Sequence, residues 1–246
     1  MAEALTADRP ALRTGSLLAV RELNAWYDES HVLQGMAFDV REGEVVTLLG
    51  RNGAGKTTTL RAIMGLIRKR TGSVTFNGKD LIRLPLHRVA HQGIGFVPEE
   101  RGIFATLTVD ENLILPPVVA KGGMSVEEIF ELFPNLKERR NSQGTKLSGG
   151  EQQMLAIARI LRTGVEMLLL DEPTEGLAPV IVQRIGELLA TLKKRGMTIL
   201  LVEQNFRFAA RIADRFYLMD HGKVVEGFAV GQLSAHTDKL HEVLGV

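Results

Sequence analysis

The chain contains no cysteine, one tryptophan and two tyrosines. Without thiols there is no disulfide and no thiolate-held metal, which fits a reducing compartment. No apolar run approaches the roughly 20 residues a membrane-spanning helix needs. Neither sign of charge dominates: 30 Lys and Arg face 29 Asp and Glu. Nothing in that balance argues for nucleic acid or an anionic membrane as a partner. The first residues carry Glu3, Asp8 and Pro10 and no apolar stretch, so they do not read as a signal peptide. Residues 1–16 are expected to be a disordered tail. The rest of the 246 residues suffice for one large or two small domains around a continuous core.

What is present centres on Gly50, Arg51, Asn52, Gly53, Ala54, Gly55, Lys56 and Thr57, with Thr58 next. The pattern G-x-x-x-x-G-K-T is the phosphate-cradling loop of nucleotide triphosphatases. Val45 to Leu49 before it reads as a buried parallel strand. Leu60, Ile63, Met64 and Ile67 after it mark one face of a helix. Glycines let the loop's N–H groups point inward, and the helix N-terminus adds positive partial charge. Lys56 is expected to reach the β- and γ-phosphates of a bound nucleotide, and the Thr57 hydroxyl to ligate Mg²⁺.

Around this loop the chain reads as strands and helices in alternation. Leu17 to Leu23 and Val32 to Val40 are expected strands. An aromatic between them, Trp26 or Tyr27, either stacks on a nucleotide base or packs on the sheet, and spacing alone leaves both open. Arg68-Lys69-Arg70 suits a helix C-terminus, with Gly72 as the stop signal. Val74 to Phe76 should turn back at Asn77-Gly78, and Gly93 to Val97 is a further strand. Capping boxes at Thr108–Glu111 and Ser125–Glu128 place a helical insertion at about 98–160. Ser148, Gly149, Gly150 and Glu151 open another helix, whose glycines leave backbone N–H groups free for a second anion. Met167 to Leu170 is a continuous apolar strand ending in Asp171 and Glu172. Carboxylates there meet the phosphate loop at one sheet edge, Asp171 to hold Mg²⁺ and Glu172 to orient or deprotonate water. A helix over 181–194, a strand over 197–202, a helix over 206–213 and a hairpin from Phe216 to Val225 complete the pattern.

Together, the phosphate loop, Leu147-Ser148-Gly149-Gly150-Glu151-Gln152 and Leu168 to Glu172 resemble the ATP-binding subunit of an ABC transporter, over residues 17–246. The resemblance implies an α/β fold: a P-loop NTPase core with an N-terminal antiparallel β subdomain and a helical insertion. It also implies that Tyr27 stacks on the base. Ser148 to Glu151 would contact the γ-phosphate of ATP bound to a second ATP-binding subunit, and Glu175 to Pro179 would cross that interface. Val97-Pro98-Glu99, Leu107 to Leu113, Asp171 to Pro179 and Leu201 to Asn205 are similar to importers of branched-chain amino acids, urea and short amides, the chain resembling the shorter of two ATPases. Implied partners are that second subunit, two transmembrane permease subunits and, indirectly, a periplasmic or extracellular binding protein. The implied location is peripheral, on the cytoplasmic face of the membrane.

Two positions depart from the general pattern. Glu99 stands where glutamine is usual; it still ligates Mg²⁺ or its water but adds repulsion near the γ-phosphate. Gln204 stands where a histidine is expected, and its amide donates a hydrogen bond but carries no charge. They motivate one alternative, a non-hydrolysing regulatory subunit. A soluble non-transport ABC ATPase is the other; repair members carry sustained heptads between the ATP motifs, absent here, and translation members two cassettes.

Overall fold

The computed structural model describes residues 15–245. Most of the expected tail lies outside the described residues, and Ser16, assigned to it, instead opens the first strand. From there β1 (Ser16–Tyr27) and β2 (Ser30–Arg41) form a hairpin, and β3 (Val45–Leu49) leads into α1 (Lys56–Met64). β4 (Arg70–Phe76), β5 (Lys79–Asp80), α2 (Leu86–Ala90) and β6 (Ile94–Val97) follow. The helices α3 (Val109–Ile114), α4 (Val126–Leu132), α5 (Pro134–Glu138) and α6 (Gly149–Leu161) come next. β7 (Met167–Asp171), α7 (Pro179–Lys194), β8 (Thr198–Glu203) and α8 (Phe206–Ala209) alternate. β9 (Arg215–Asp220), β10 (Lys223–Ala229) and α9 (Thr237–Leu244) close the chain.

The strands make two sheets. One is antiparallel, in the order β2-β1-β4-β5; the other runs β10-β9-β3-β8-β7-β6 and is parallel except for β10 at its edge. Covering both faces explains the uninterrupted apolar strands, since side chains alternate between faces. Met167 and Leu169 of β7, with Leu200 and Val202 of β8, face the antiparallel sheet and α1. Leu168, Leu170, Ile199 and Leu201 face α6 and α7. Truncating one of these fully buried leucines to alanine costs about 2–5 kcal/mol. Because β3, β7 and β8 run in parallel, their C-terminal ends lie side by side at one edge.

Several expectations change. α1 stops at Gly65, which is left-handed at φ 79, so Ile67 packs in the same cluster from beyond the helix. Arg70 is not in a helix terminus; it opens β4, and its guanidinium returns to the Ala62 carbonyl in the last turn of α1, as well as to Ile82 O at 3.1 Å. Gly72 lies inside β4 rather than at a helix stop. At the C-terminus α8 is shorter than expected, and α9 follows the hairpin with Leu240, Val243 and Leu244 packed on Phe216, Leu218 and Phe228.

Candidate functional site: a nucleotide cleft at the sheet edge

The phosphate loop joins β3 to α1, with Gly53 at φ 84 and Gly55 at φ 98. A side chain is strained at either angle, so the loop's inward N–H groups depend on glycine there. Beside it opens a cleft of about 320 Å³ lined by Tyr27, Val32, Asn52, Gly53, Gly55, Lys56, Thr57, Thr58, Glu99, Glu172 and Glu175. Tyr27 is 43% exposed, which leaves it a ring for stacking, and the Arg61 guanidinium meets its hydroxyl.

At the floor of the cleft, Lys56 Nζ lies 2.9 Å from Glu172 Oε1 and donates to Arg51 O at 3.1 Å. Thr57 Oγ1 donates to Asp171 Oδ1 at 3.0 Å. Asp171 is fully buried, and its Oδ2 has no hydrogen-bond partner. Burial pushes the Asp171 carboxyl up to about 6; Thr57 pulls it down, and the nearby Glu172 and Glu99 carboxylates push it up further. An orphaned carboxylate oxygen beside a threonine hydroxyl suits Mg²⁺, which takes one or two carboxylates and completes its shell with phosphate oxygens and water. Among the described residues no group of three His, Cys, Asp or Glu could hold a metal unaided, so such an ion would arrive with the nucleotide. Glu172 sits just past β7 in the left-handed region at φ 42, held by its N–H on Val202 O at 3.0 Å. That conformation is uncommon for a glutamate and aims the side chain at the loop instead of along the strand.

The other expected residues lie elsewhere. Gly50, Arg51 and Ala54 belong to the loop without lining the cleft. Ser148, Gly149, Gly150 and Glu151 sit at the mouth of α6, outside it. Ser148 Oγ accepts from the Glu151 N–H, and Glu151 Oε2 accepts from the Ser148 N–H at 2.8 Å. Glu151 also pairs with Arg139 at 3.5 Å, so its carboxylate is committed to the cap. Burial raises the Glu151 pKa, but Ser148 and Arg139 outweigh it and the net shift is downward. The first N–H groups of α6 have no partner inside the helix. A Cβ at Gly150 would come 2.6 Å from Ile181 Cγ2, so this glycine is also needed for α7 to pack. Gln204 is exposed at the end of β8.

The position of Glu175 inside the cleft, the approach of Arg61 to Tyr27 and the burial of Glu203 are not announced by any motif. Burial lifts the Glu203 carboxyl to about 7, against hydrogen bonds from Thr174 and Asn205. A polar residue closing an apolar strand was the available signal.

A glycine loop on a helix N-terminus, with two acids from the neighbouring strand end, defines a nucleoside triphosphatase of the phosphate-loop class. The family model described as "ABC transporter" matches residues 33–175. Over 218 residues the chain is 40% identical to the high-affinity branched-chain amino acid transport ATP-binding protein BraG of Pseudomonas aeruginosa, covering 85% of this chain and 91% of that protein. It is 36% identical over 216 residues to the lipopolysaccharide export system ATP-binding protein LptB of Haemophilus influenzae, covering 85% and 89%. A dimeric ATP-binding cassette solved in a post-hydrolysis state with ADP and phosphate superposes with TM-score 0.76 at 26% identity, covering 87% of this chain and 98% of that one. The chain belongs to the ABC transporter family, as an ATP-binding subunit that hydrolyses ATP. No helix of the described residues is long and apolar enough to cross a membrane.

Proposed function

We propose that ATP turnover by this chain drives uptake of branched-chain amino acids or a related small polar solute. Similarity to BraG over most of both chains supports the substrate class. The cleft supports the chemistry: Lys56 would hold the β- and γ-phosphates, Thr57, Asp171 and Glu99 would hold Mg²⁺, and Glu172 would take the proton of the attacking water. When bound, Mg²⁺ supplies charge neutralisation between the phosphates. Tyr27 stacks on the base, and Gln204 donates to the γ-phosphate. Ser148, Gly149 and Gly150 face the γ-phosphate held by a second ATP-binding subunit, so ATP joins the two and hydrolysis parts them.

Two permease subunits would dock near Glu99 to Phe104, on the cytoplasmic face of the membrane. The observation behind that docking is local. Phe104 is 44% exposed and Ile114 63% exposed, and Arg159 stacks on Phe104 at 4.5 Å. A binding protein outside the membrane would select the solute. A second reading, an export ATPase, is favoured by the similarity to LptB.

The deciding experiment deletes the gene in its host and measures uptake of radiolabelled leucine, isoleucine and valine. Loss of uptake, restored by the wild-type chain but not by Lys56→Ala, is expected. Undiminished uptake with a defect in surface lipopolysaccharide would replace import by the second reading.

A further inference from the structure

Glu203 is a buried acid that the nucleotide chemistry leaves unused. It ends β8, is 2% exposed, and its two oxygens serve two different loops. Oε1 accepts from Thr174 Oγ1 at 2.8 Å, and Oε2 accepts from the Asn205 N–H at 3.1 Å. The Thr174 N–H is directed at the same carboxylate. Thr174 is itself buried and lies between Glu172 and Glu175, both of which line the cleft. Asn205 in turn caps α8, its Oδ1 accepting from the Phe208 N–H at 3.1 Å. The carboxylate is therefore a strap, with the loop after β7 at one end and the loop after β8 at the other.

The strap is costly for a residue whose only task is to fill space. Desolvating a carboxylate is unfavourable even when it is hydrogen-bonded, and Glu172 sits close enough to add like-charge repulsion. An apolar side chain would close an apolar strand without either penalty. What only a carboxylate does here is accept from both loops at once, since a glutamine offers a single acceptor oxygen. Gln204 lies between Glu203 and Asn205, so its backbone is pinned on both sides. On the other side, Glu175 donates its N–H to Glu172 O at 3.1 Å, so fixing Thr174 fixes the start of the segment that leads to Pro179 and α7.

We infer that Glu203 is a positioning residue that makes the Gln204 turn and the Thr174–Glu175 segment move as one unit, so that γ-phosphate contact at Gln204 is transmitted to the loop facing the second subunit. The inference rests on the proposed placement of Gln204 at the γ-phosphate. Nucleotide capture itself belongs to Lys56, Thr57 and the loop N–H groups, none of which touches Glu203. Loss of the strap therefore acts on the rate of turnover and leaves ATP affinity in place.

The test measures kcat and KM for ATP with the full chain in its active dimer, for wild type, Thr174→Val, Glu203→Gln, Glu203→Ala and the Thr174→Val/Glu203→Ala pair. Thr174→Val keeps the side-chain volume and removes only the hydroxyl donor. Thr174→Val and Glu203→Ala should each lower kcat about tenfold, the weight of one hydrogen bond made in the productive geometry, with KM within about twofold. Glu203→Gln should recover part of that loss, and the double variant should be no slower than the slower single variant. If Glu203→Ala does not fold, as loss of ATP binding would reveal, Thr174→Val and Glu203→Gln carry the test. Wild-type kcat in Thr174→Val, multiplicative losses in the pair, or a rise in KM at constant kcat would each overturn the inference. Failure of the underlying reading looks different: Gln204→Ala would then turn over at the wild-type rate.

Discussion

Lys56 has partners that a nucleotide must displace. Its ammonium is paired with Glu172 at 2.9 Å, and the two side chains are only 3% and 10% exposed. Replacing Glu172 by glutamine removes the charge and keeps the shape. At an effective dielectric of about 20, the Coulomb attraction at that distance is about 6 kcal/mol. Desolvation of both groups offsets most of it, and a net effect of about 1.5–3 kcal/mol remains for a pair this enclosed. Glu172→Gln should therefore bind nucleotide about tenfold to a hundredfold more tightly while losing turnover, because the water no longer has a base. The assay is equilibrium binding of a non-hydrolysable ATP analogue with Mg²⁺, repeated with ADP. In the proposed site Lys56 holds the β-phosphate as well, so the gain should extend to ADP. Release of Lys56 is then separated from simple relief of repulsion between Glu172 and the γ-phosphate, which ADP lacks. Equal affinity in wild type and variant, or a gain confined to the triphosphate, refutes the competition.

Asp171 carries a pH dependence. Its folded pKa of about 6 exceeds the ordinary 3.8, so its contribution to stability is complete below about pH 4 and lost as pH rises through about 6. A shift of this size corresponds to at most about 3 kcal/mol, or roughly 6–12 °C in Tm for a chain of this length. Asp171→Asn should flatten the fall in Tm between pH 4 and 7 measured without divalent cations; parallel curves for the two proteins would reject the assignment. Tyr27→Ala should weaken nucleotide binding by about 1–3 kcal/mol, and Tyr27→Phe should keep most of it; equal affinities in all three would leave the ring as sheet packing. Gln204→His should raise turnover if a missing cation at the γ-phosphate limits it, a point settled by kcat at pH 6 and 8 against wild type.

The features legible in the sequence were those whose causes are local or periodic. The capping boxes at Thr108, Ser125 and Ser148 all form, because each needs only a hydroxyl and a carboxylate three residues apart. β7 was readable because burial on both faces leaves an unbroken apolar run that ends abruptly in Asp171 and Glu172. Arg70 was not, since its partners on α1 and at Ile82 come from a strand pairing that no local pattern announces. Gly72 resembles a helix stop because a left-handed glycine serves equally inside an irregular strand, and β4 pairs with β1 across a register shift at this level. α9 did carry a short i, i+3, i+4 signal in Leu240, Val243 and Leu244, yet so brief a helix exists only through the face it covers on β9 and β10. For Glu203 the sequence pattern shows an acid closing an apolar run but not its burial. A single acid after an apolar run looks like a strand surfacing into water, and only the loop from β7 turns that end into an interior.

The same loop explains an electrostatic oddity of the cleft. Where a polyanion is to bind, burial and the Glu172 and Glu99 carboxylates push up the carboxyls of Asp171 and Glu175, while Arg61 pulls down the first and Lys56 the second. A site selected only for attraction to phosphate would not gather four acids. The arrangement would become favourable with a divalent cation bound alongside the nucleotide, because each carboxylate that repels bare phosphate would then attract the cation. On the proposed roles, binding strength would be left to the backbone N–H groups and Lys56, and the acids would act on what accompanies the phosphates: the ion, the water and, through Glu203, the loop toward the second subunit. If the acids act this way, ATP should bind the cleft more tightly with Mg²⁺ than without it, and equal affinity in the two conditions would reject the division of labour.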